Sequence, residues 1–307
     1  MLWKKCGLIW SPEAGSDKFH RYGILPVPIY IKEHNIVRVF FGSADKNIHS
    51  KIYSLDLNPD NLNEVIRPPG KIKLDIGKPG TFDDSGVVPS YVIRIKDNLI
   101  LYTVGFQRAE KVPYILFAGI AVSNDFGETF RRPHESPILP RNNFRPTSQG
   151  APSVLYLNGK YKMWHWFSTK WIKINGKYFL DYKIGYAESK DGLNWKMKNI
   201  TCLEPDNAKG EFALARPYVL YENEMFKMWY SKRLIGKGYR IGYAESIDGI
   251  NWIRKDDLTG IDVSKDGWDS EMVCYPAILD LENKRYLFYN GNNNGATGFG
   301  YAELMKS

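Results

Sequence analysis

Five prolines, Pro26, Pro89, Pro152, Pro217 and Pro276, follow one another at intervals of 63, 63, 65 and 59 residues. Each introduces the same layout: small or polar residues, the proline, an alternating apolar run, a turn, and a second run rich in aromatics. The segments read GILPVPIYIKEHNIVRVFFGS, GVVPSYVIRIKDNLILYTVG, QGAPSVLYLNGKYKMWHWFS, LARPYVLYENEMFKMWYSK and VCYPAILDLENKRYLFYNG. Alternation of period two is the pattern of strands. Near-equal steps of this size across 307 residues predict a radial repeat in which each period folds as one four-stranded blade. A proline is tolerated near the start of a blade's first strand, where a missing N–H costs little. The expected fold is all-β: a single five-bladed β-propeller, with residues 1–307 forming one domain.

A third strand recurs as FAGIAVS, KIGYAES, RIGYAES and FGYAEL, and three of these run into the turns SNDFGETF, SKDGLNW and SIDGINW. Asp125, Asp191 and Asp248 can bond their own turn backbone there, and the nearby glycine supplies a positive φ. These aspartates read as structural rather than catalytic. Phe130, Trp195 and Trp252, which follow them, are expected to pack between blades. The last repeat stops at Tyr301-Ala302-Glu303 without a fourth strand, whereas Leu2–Trp10 is apolar, strand-like and unassigned. It is expected to pair near Phe299–Leu304 and close the ring, which removes two exposed edges.

Composition narrows the function classes. The formal net charge is +8, but the lysines and arginines are dispersed rather than clustered with stacking aromatics. No nucleic-acid partner is expected. The excess charge is either a solvated basic surface or an attraction for an anionic ligand. No run of 18 apolar residues exists, so no membrane partner is expected. The apolar stretch after Lys4-Lys5 is too short for a signal-peptide core. Cys6, Cys202 and Cys274 are odd in number and lack metal spacing, which points to a reducing cytoplasm. The five histidines are scattered without H-E-x-x-H, and no Walker or dinucleotide motif is present. Neither a metal nor a cofactor is expected.

Gly80-Thr-Phe-Asp-Asp-Ser-Gly-Val-Val-Pro89, the two IGYAES-x-DG-x-NW repeats, Trp268-Asp-Ser-Glu-Met-Val-Cys-Tyr-Pro276 and the closing FYNGNNNGATGFGYA give the chain a family likeness over nearly its whole length. It resembles the five-bladed propeller superfamily of glycoside hydrolases that includes arabinanases, invertases, levansucrases and the mannoside phosphorylases. Within it, the chain is similar to uncharacterised members met among bacterial surface-polysaccharide genes. The resemblance implies a carbohydrate ligand and chemistry at the strand starts around the axis. One fold hosts many functions, so activity has to be argued from the site.

Counting back from each proline compares equivalent positions of the repeat. Five residues before stand Arg21, Asp84, Thr147, Phe212 and Glu271, and six before stand His20, Asp83, Pro146, Glu211 and Ser270. Arg145 lies seven before Pro152, and Arg216 one before Pro217. Glycosidic chemistry uses two carboxyl groups flanking the bond. The candidates are Asp84, Glu271 and Glu211, with Asp83 beside them. Plainer roles are open to each: strand-start bonding for Asp83 and Asp84, and an exposed loop for Glu271 and Glu211. The hydrolytic members carry a carboxylate at the start of the first blade; here that stretch reads Lys18-Phe-His-Arg-Tyr-Gly. The phosphorylase-like members, with one acid and a basic cluster for phosphate, are the better match. His20, Arg21, Arg145, Arg216 and His165 are the candidate cluster, because Arg suits bidentate contact with phosphate or carboxylate. Tyr275, Trp166 and Tyr182 are candidates for stacking on a sugar, alongside Trp164, Trp229, Tyr230 and Tyr289. Asn290, Asn292 and Asn293 can bond hydroxyls or hold a turn.

Two readings follow. One is an enzyme that cleaves or transfers a glycosidic bond on an anionic or phosphorylated sugar, with Asp84 as the acid. The other is a non-catalytic propeller that binds a sugar or nucleotide sugar in polysaccharide assembly. The oligomeric state is open.

Overall fold

The computed structural model describes residues 1–13 and 16–305. They form an almost wholly β structure of antiparallel units, one per proline repeat. After β1 (Trp3–Trp10), the first unit holds β2 (Ile24–Ile31), β3 (Ile36–Ala44), β4 (Ser50–Asn58) and β5 (Asn61–Arg67). The second holds β6 (Gly86–Ile95), β7 (Asn98–Arg108) and β8 (Tyr114–Ser123). A single parallel bridge, Ser50 to Gly86, joins these two units. The third holds β9 (Gln149–Leu157), β10 (Lys160–Phe167), β13 (Lys183–Ser189) and β14 (Lys196–Leu203), and carries a separate hairpin, β11 (Trp171–Ile174) and β12 (Lys177–Leu180). The fourth is β15 (Glu211–Glu222), β16 (Met225–Leu234), β17 (Arg240–Ser246) and β18 (Ile253–Arg254). The last is β19 (Cys274–Leu281), β20 (Lys284–Asn290) and β21 (Phe299–Leu304), and β1 pairs antiparallel with β21 as its fourth strand.

The five proline-bearing strands lie side by side. β2 contacts β6, β6 contacts β9, β9 contacts β15, β15 contacts β19, and β19 contacts β2. In every one of them the pairing with the next strand slips at the proline. Proline has no N–H to give the ladder, so an extra residue is accommodated there as a bulge. In four of the five, the residue before the proline takes a positive φ: Leu25 57°, Ala151 48°, Arg216 47° and Tyr275 56°. This backbone is costly for a residue with a Cβ. A bulge also re-aims the side chain it carries.

The aromatics after the turns pack between units. Phe130 meets Phe40, Trp195 meets Tyr102, and Trp252 meets Trp164. The turn aspartates hold their own loops. Asp248 accepts from the backbone N–H groups of Ile250 and Asn251 at 2.8 Å each, and Asp191 does the same with Leu193 and Asn194. The Asn251 and Ile250 amides hold the Asp248 carboxyl below its ordinary range, against a small opposing effect of burial. Asp191→Ala or Asp248→Ala is expected to cost on the order of 1 kcal/mol, seen as a lowered melting temperature with ligand affinity unchanged. Selective loss of binding in a protein of unchanged stability would make either residue functional.

Candidate functional site

The re-aimed residues share one destination. Leu25, Val88, Ala151, Arg216 and Tyr275, the five residues that precede the five prolines, all line a single cavity of about 630 Å³. That volume suits a small-molecule site. The position that converges on one cavity is therefore the residue one before each proline.

The next layer comes from the second and third strands of the units. Val104 and Phe106 end β7, Tyr114 and Leu116 begin β8, and Trp166 ends β10. Trp166 stacks on Tyr182 with ring centroids 4.1 Å apart. Arg233 near the end of β16, Tyr239 before β17, and Asn293, Asn294 and Ala296 after β20 complete the wall. Arg21 is exposed and marks the mouth. Among the described residues, no aspartate or glutamate lines the cavity.

Arg216 is the deepest charge, 1% exposed. Its guanidinium donates to the backbone carbonyls of Tyr275 and Pro276 at 2.6 and 2.7 Å, and to those of Ser90 and Pro26 at 2.9 and 3.1 Å. One side chain thus ties three other proline strands together. Burial pushes its pKa down to about 10, so it remains a cation at neutral pH. The four bonds use Nη1 and Nη2 and leave Nε without a partner. Arg216 lends the cavity positive charge, but its terminal nitrogens are committed to the fold. Its partners are carbonyls, not the neighbouring acids.

The expected acids lie elsewhere. Asp84 accepts from the Gly80 N–H and the Ser85 hydroxyl, both at 2.9 Å, within its own loop. Asp83 is buried and takes Nε of Arg132 at 2.7 Å. Glu211 is buried against Arg254, which donates to both carboxylate oxygens at 2.7 Å. Glu271 is exposed, and its backbone, not its carboxylate, is held by Asn292 and Arg240. No shared site forms from the three.

The expected basic cluster divides as well. His20 is exposed and bonds Ala44 through its backbone. Arg145 is fully buried, lies over Phe167 and Phe144, and donates to the carbonyls of Lys198 and Ile200. His165 is fully buried. Burial, aided by the charge of Arg145, pushes its pKa down to about 3, so it stays neutral. Asn290 is buried as a clamp, accepting from Leu25 N–H at 2.8 Å and donating to the Gly298 and Gly23 carbonyls. Trp164, Trp229, Tyr230 and Tyr289 are core residues. The structure brings together Arg21, Arg216, Tyr275, Trp166, Tyr182 and Asn293 from the sequence-based set. It adds Arg233, Tyr239 and Tyr114, which a count along the second and third strands of each repeat would have pointed to.

Arginines and tyrosines supply the polar groups of the lining, alongside Asn293 and Asn294. Burial raises the hydroxyl pKa of Tyr275 and Tyr182 well above the ordinary value. These phenols stay protonated and can donate to an acceptor, but they are poor bases and poor nucleophiles.

The chain is similar to known proteins at two levels. It is 33% identical over 304 residues to the uncharacterized protein Rv1502 of Mycobacterium tuberculosis, covering 99% of both chains. Its fold matches a thermostable family-43 glycoside hydrolase with a TM-score of 0.72 at 15% identity, covering 97% of this chain and 94% of that one. It matches a structure from the GH130 family of mannoside phosphorylases, described as containing glycoside hydrolases that target β-1,2 mannosidic linkages, with a TM-score of 0.69 at 14% identity, covering 98% and 93%. No protein-family model matches the chain.

Proposed function

Since the chain belongs to the family of the uncharacterized mycobacterial protein Rv1502 and has the fold of the five-bladed propeller glycoside hydrolases, we propose that it is a five-bladed propeller whose axial cavity binds a phosphorylated or otherwise anionic sugar. The ring would be completed by β1. The observation that carries the reading is the lining itself: Arg21, Arg216 and Arg233 face one cavity with aromatic walls and no carboxylate. Unneutralised arginines in a partly desolvated site attract a negative group strongly. The Trp166–Tyr182 pair gives a sugar face something to lie on. Two-carboxylate hydrolysis has no acid in the cavity to begin it. Binding without turnover is therefore the reading favoured for this chain.

A glycosidic-bond enzyme remains the second reading, favoured by the fold likeness to glycoside hydrolases. It requires the loop around Asp84 to supply the proton on ligand binding.

Calorimetry with neutral sugars, sugar phosphates and nucleotide sugars tests the first reading. Phosphorylated sugars are expected to bind, more weakly as salt rises, and to be recovered intact after incubation with and without phosphate. Equal affinity for neutral and phosphorylated sugars would overturn it. Turnover that disappears in Asp84→Asn would establish the second reading instead.

A further inference from the structure

Arg233 is the one cavity arginine that is enclosed and yet uncommitted. It is half-buried, lines the cavity, and its side chain makes no hydrogen bond or ion pair among the described residues. Its guanidinium lies over three rings, 4.5 Å from the Phe179 centroid, 5.1 Å from Tyr239 and 5.4 Å from Phe212. Aromatic faces fix a guanidinium in space while leaving its N–H fork unsatisfied. The neighbouring residue shows the contrast. Lys232 points to the opposite face of β16, where Asp256 takes it at 3.0 Å and Arg254 is neutralised by Glu211 and Asp256. Alternation along the strand separates the acids from Arg233.

Phe179 belongs to the β11–β12 hairpin. The equivalent connection between β16 and β17 is a short turn, so the hairpin is an insertion in the third unit. It forms a two-stranded sheet of its own. Its tip takes positive φ at Asn175, 48°, and Gly176, 79°, the backbone of a tight hairpin turn. Two anchors hold it. At its base the Asp181 carboxylate accepts from Ser168 at 2.6 Å and from Thr169 and Lys170 backbone N–H groups at 2.9 and 3.1 Å. Along its length Trp171 packs on Tyr114, and Phe179 packs on Phe212. Lys173 and Lys177 stay exposed on it.

We infer that Arg233 is the anion-selecting residue of the cavity and that the β11–β12 hairpin, through Phe179, is the element that sets its position. The inference rests on the reading of the cavity as an anionic-sugar site. It names the ligand class as a phosphate ester of a sugar, with the phosphoryl group at Arg233. Phe179 is a positioning residue: it acts through Arg233 and touches no ligand.

The test uses the full chain with inorganic phosphate and pyrophosphate as probes, followed by 31P line broadening and by quenching of tryptophan fluorescence. Wild type is expected to bind both. Arg233→Met is expected to weaken binding by about ten- to a hundredfold, the range for a lost charge-assisted bond. Its melting temperature should change little, because methionine keeps packing against the three rings and no hydrogen bond or ion pair of the fold is lost. Phe179→Ala should weaken binding by about tenfold, and Phe179→Ala in the Arg233→Met background should weaken it no further. Phe179→Tyr should restore binding. Wild-type binding that survives Arg233→Met undiminished overturns the inference while leaving the anion-binding cavity to Arg21. Wild type that binds neither probe overturns the anion-binding cavity and the inference together. A double variant clearly weaker than Arg233→Met alone removes Phe179 from the positioning role.

Discussion

Replacing Arg216 with methionine is expected to destabilise the protein by on the order of 3 kcal/mol, well beyond what a typical substitution costs. The arginine donates to carbonyls from three other proline strands, so its loss strands four acceptors, three of them in fully buried bonds. Each bond to a charged group is worth about 1.5–3 kcal/mol net. Methionine recovers part of this by relieving the burial of a charge, which is large enough to depress the arginine pKa to about 10. Lysine has three donors on one atom and cannot span carbonyls on opposite sides, so Arg216→Lys should fall between methionine and wild type. Thermal unfolding followed by circular dichroism measures both. A melting temperature for Arg216→Met within about 2 °C of wild type would show that the four bonds contribute nothing net.

Removal of residues 1–10 is expected to be more damaging still. The deletion strips β1 from β21 and leaves that strand's N–H and C=O groups unpaired. It also removes two tryptophans that link units. Trp3 is 5% exposed, packs edge-on against Trp229 at 6.4 Å and donates through Nε1 to the Thr259 carbonyl at 3.0 Å. Trp10 lies 4.6 Å from Phe41 and 6.0 Å from Phe299, joining the first unit to the last. Truncation of one buried tryptophan such as Trp3 costs about 3–5 kcal/mol, so losing it with the half-buried Trp10 and an edge should leave aggregated material on size-exclusion chromatography. Trp3→Ala is the milder companion, expected to stay folded with a lower melting temperature. A soluble, monodisperse deletion that melts like wild type would overturn the role given to β1.

Much of the architecture follows from the chain alone, because its signals are local. Proline lacks an N–H wherever it stands, so five nearly equally spaced prolines mark five corresponding strand starts. The Ser-x-Asp-Gly turns satisfy themselves within a few residues, and their structural role needs no tertiary information. The strand pairing of Trp3–Trp10 with Phe299–Leu304 was legible as an unassigned apolar run and a repeat one strand short.

The site was legible only in part, for two physical reasons. Side chains alternate along a strand, so an offset of one residue exchanges cavity for outer face, as Lys232 and Arg233 show. Loops before the strands follow no such period. Asp84 and Glu271 stand at one offset from their prolines, yet one closes on its own loop and the other faces solvent. The bulge at the proline carries one geometry in four of the five repeats, and in the fifth Val88 still reaches the same cavity. Position one before the proline therefore predicts the cavity in all five repeats, whereas position five does so only at Arg21 and position six in none. Which arginine is free to bind was beyond the sequence altogether. Arg145, Arg216 and Arg233 look alike in a string of letters; carbonyls from distant strands claim the first two, and an aromatic cage with no acid beside it leaves the third open.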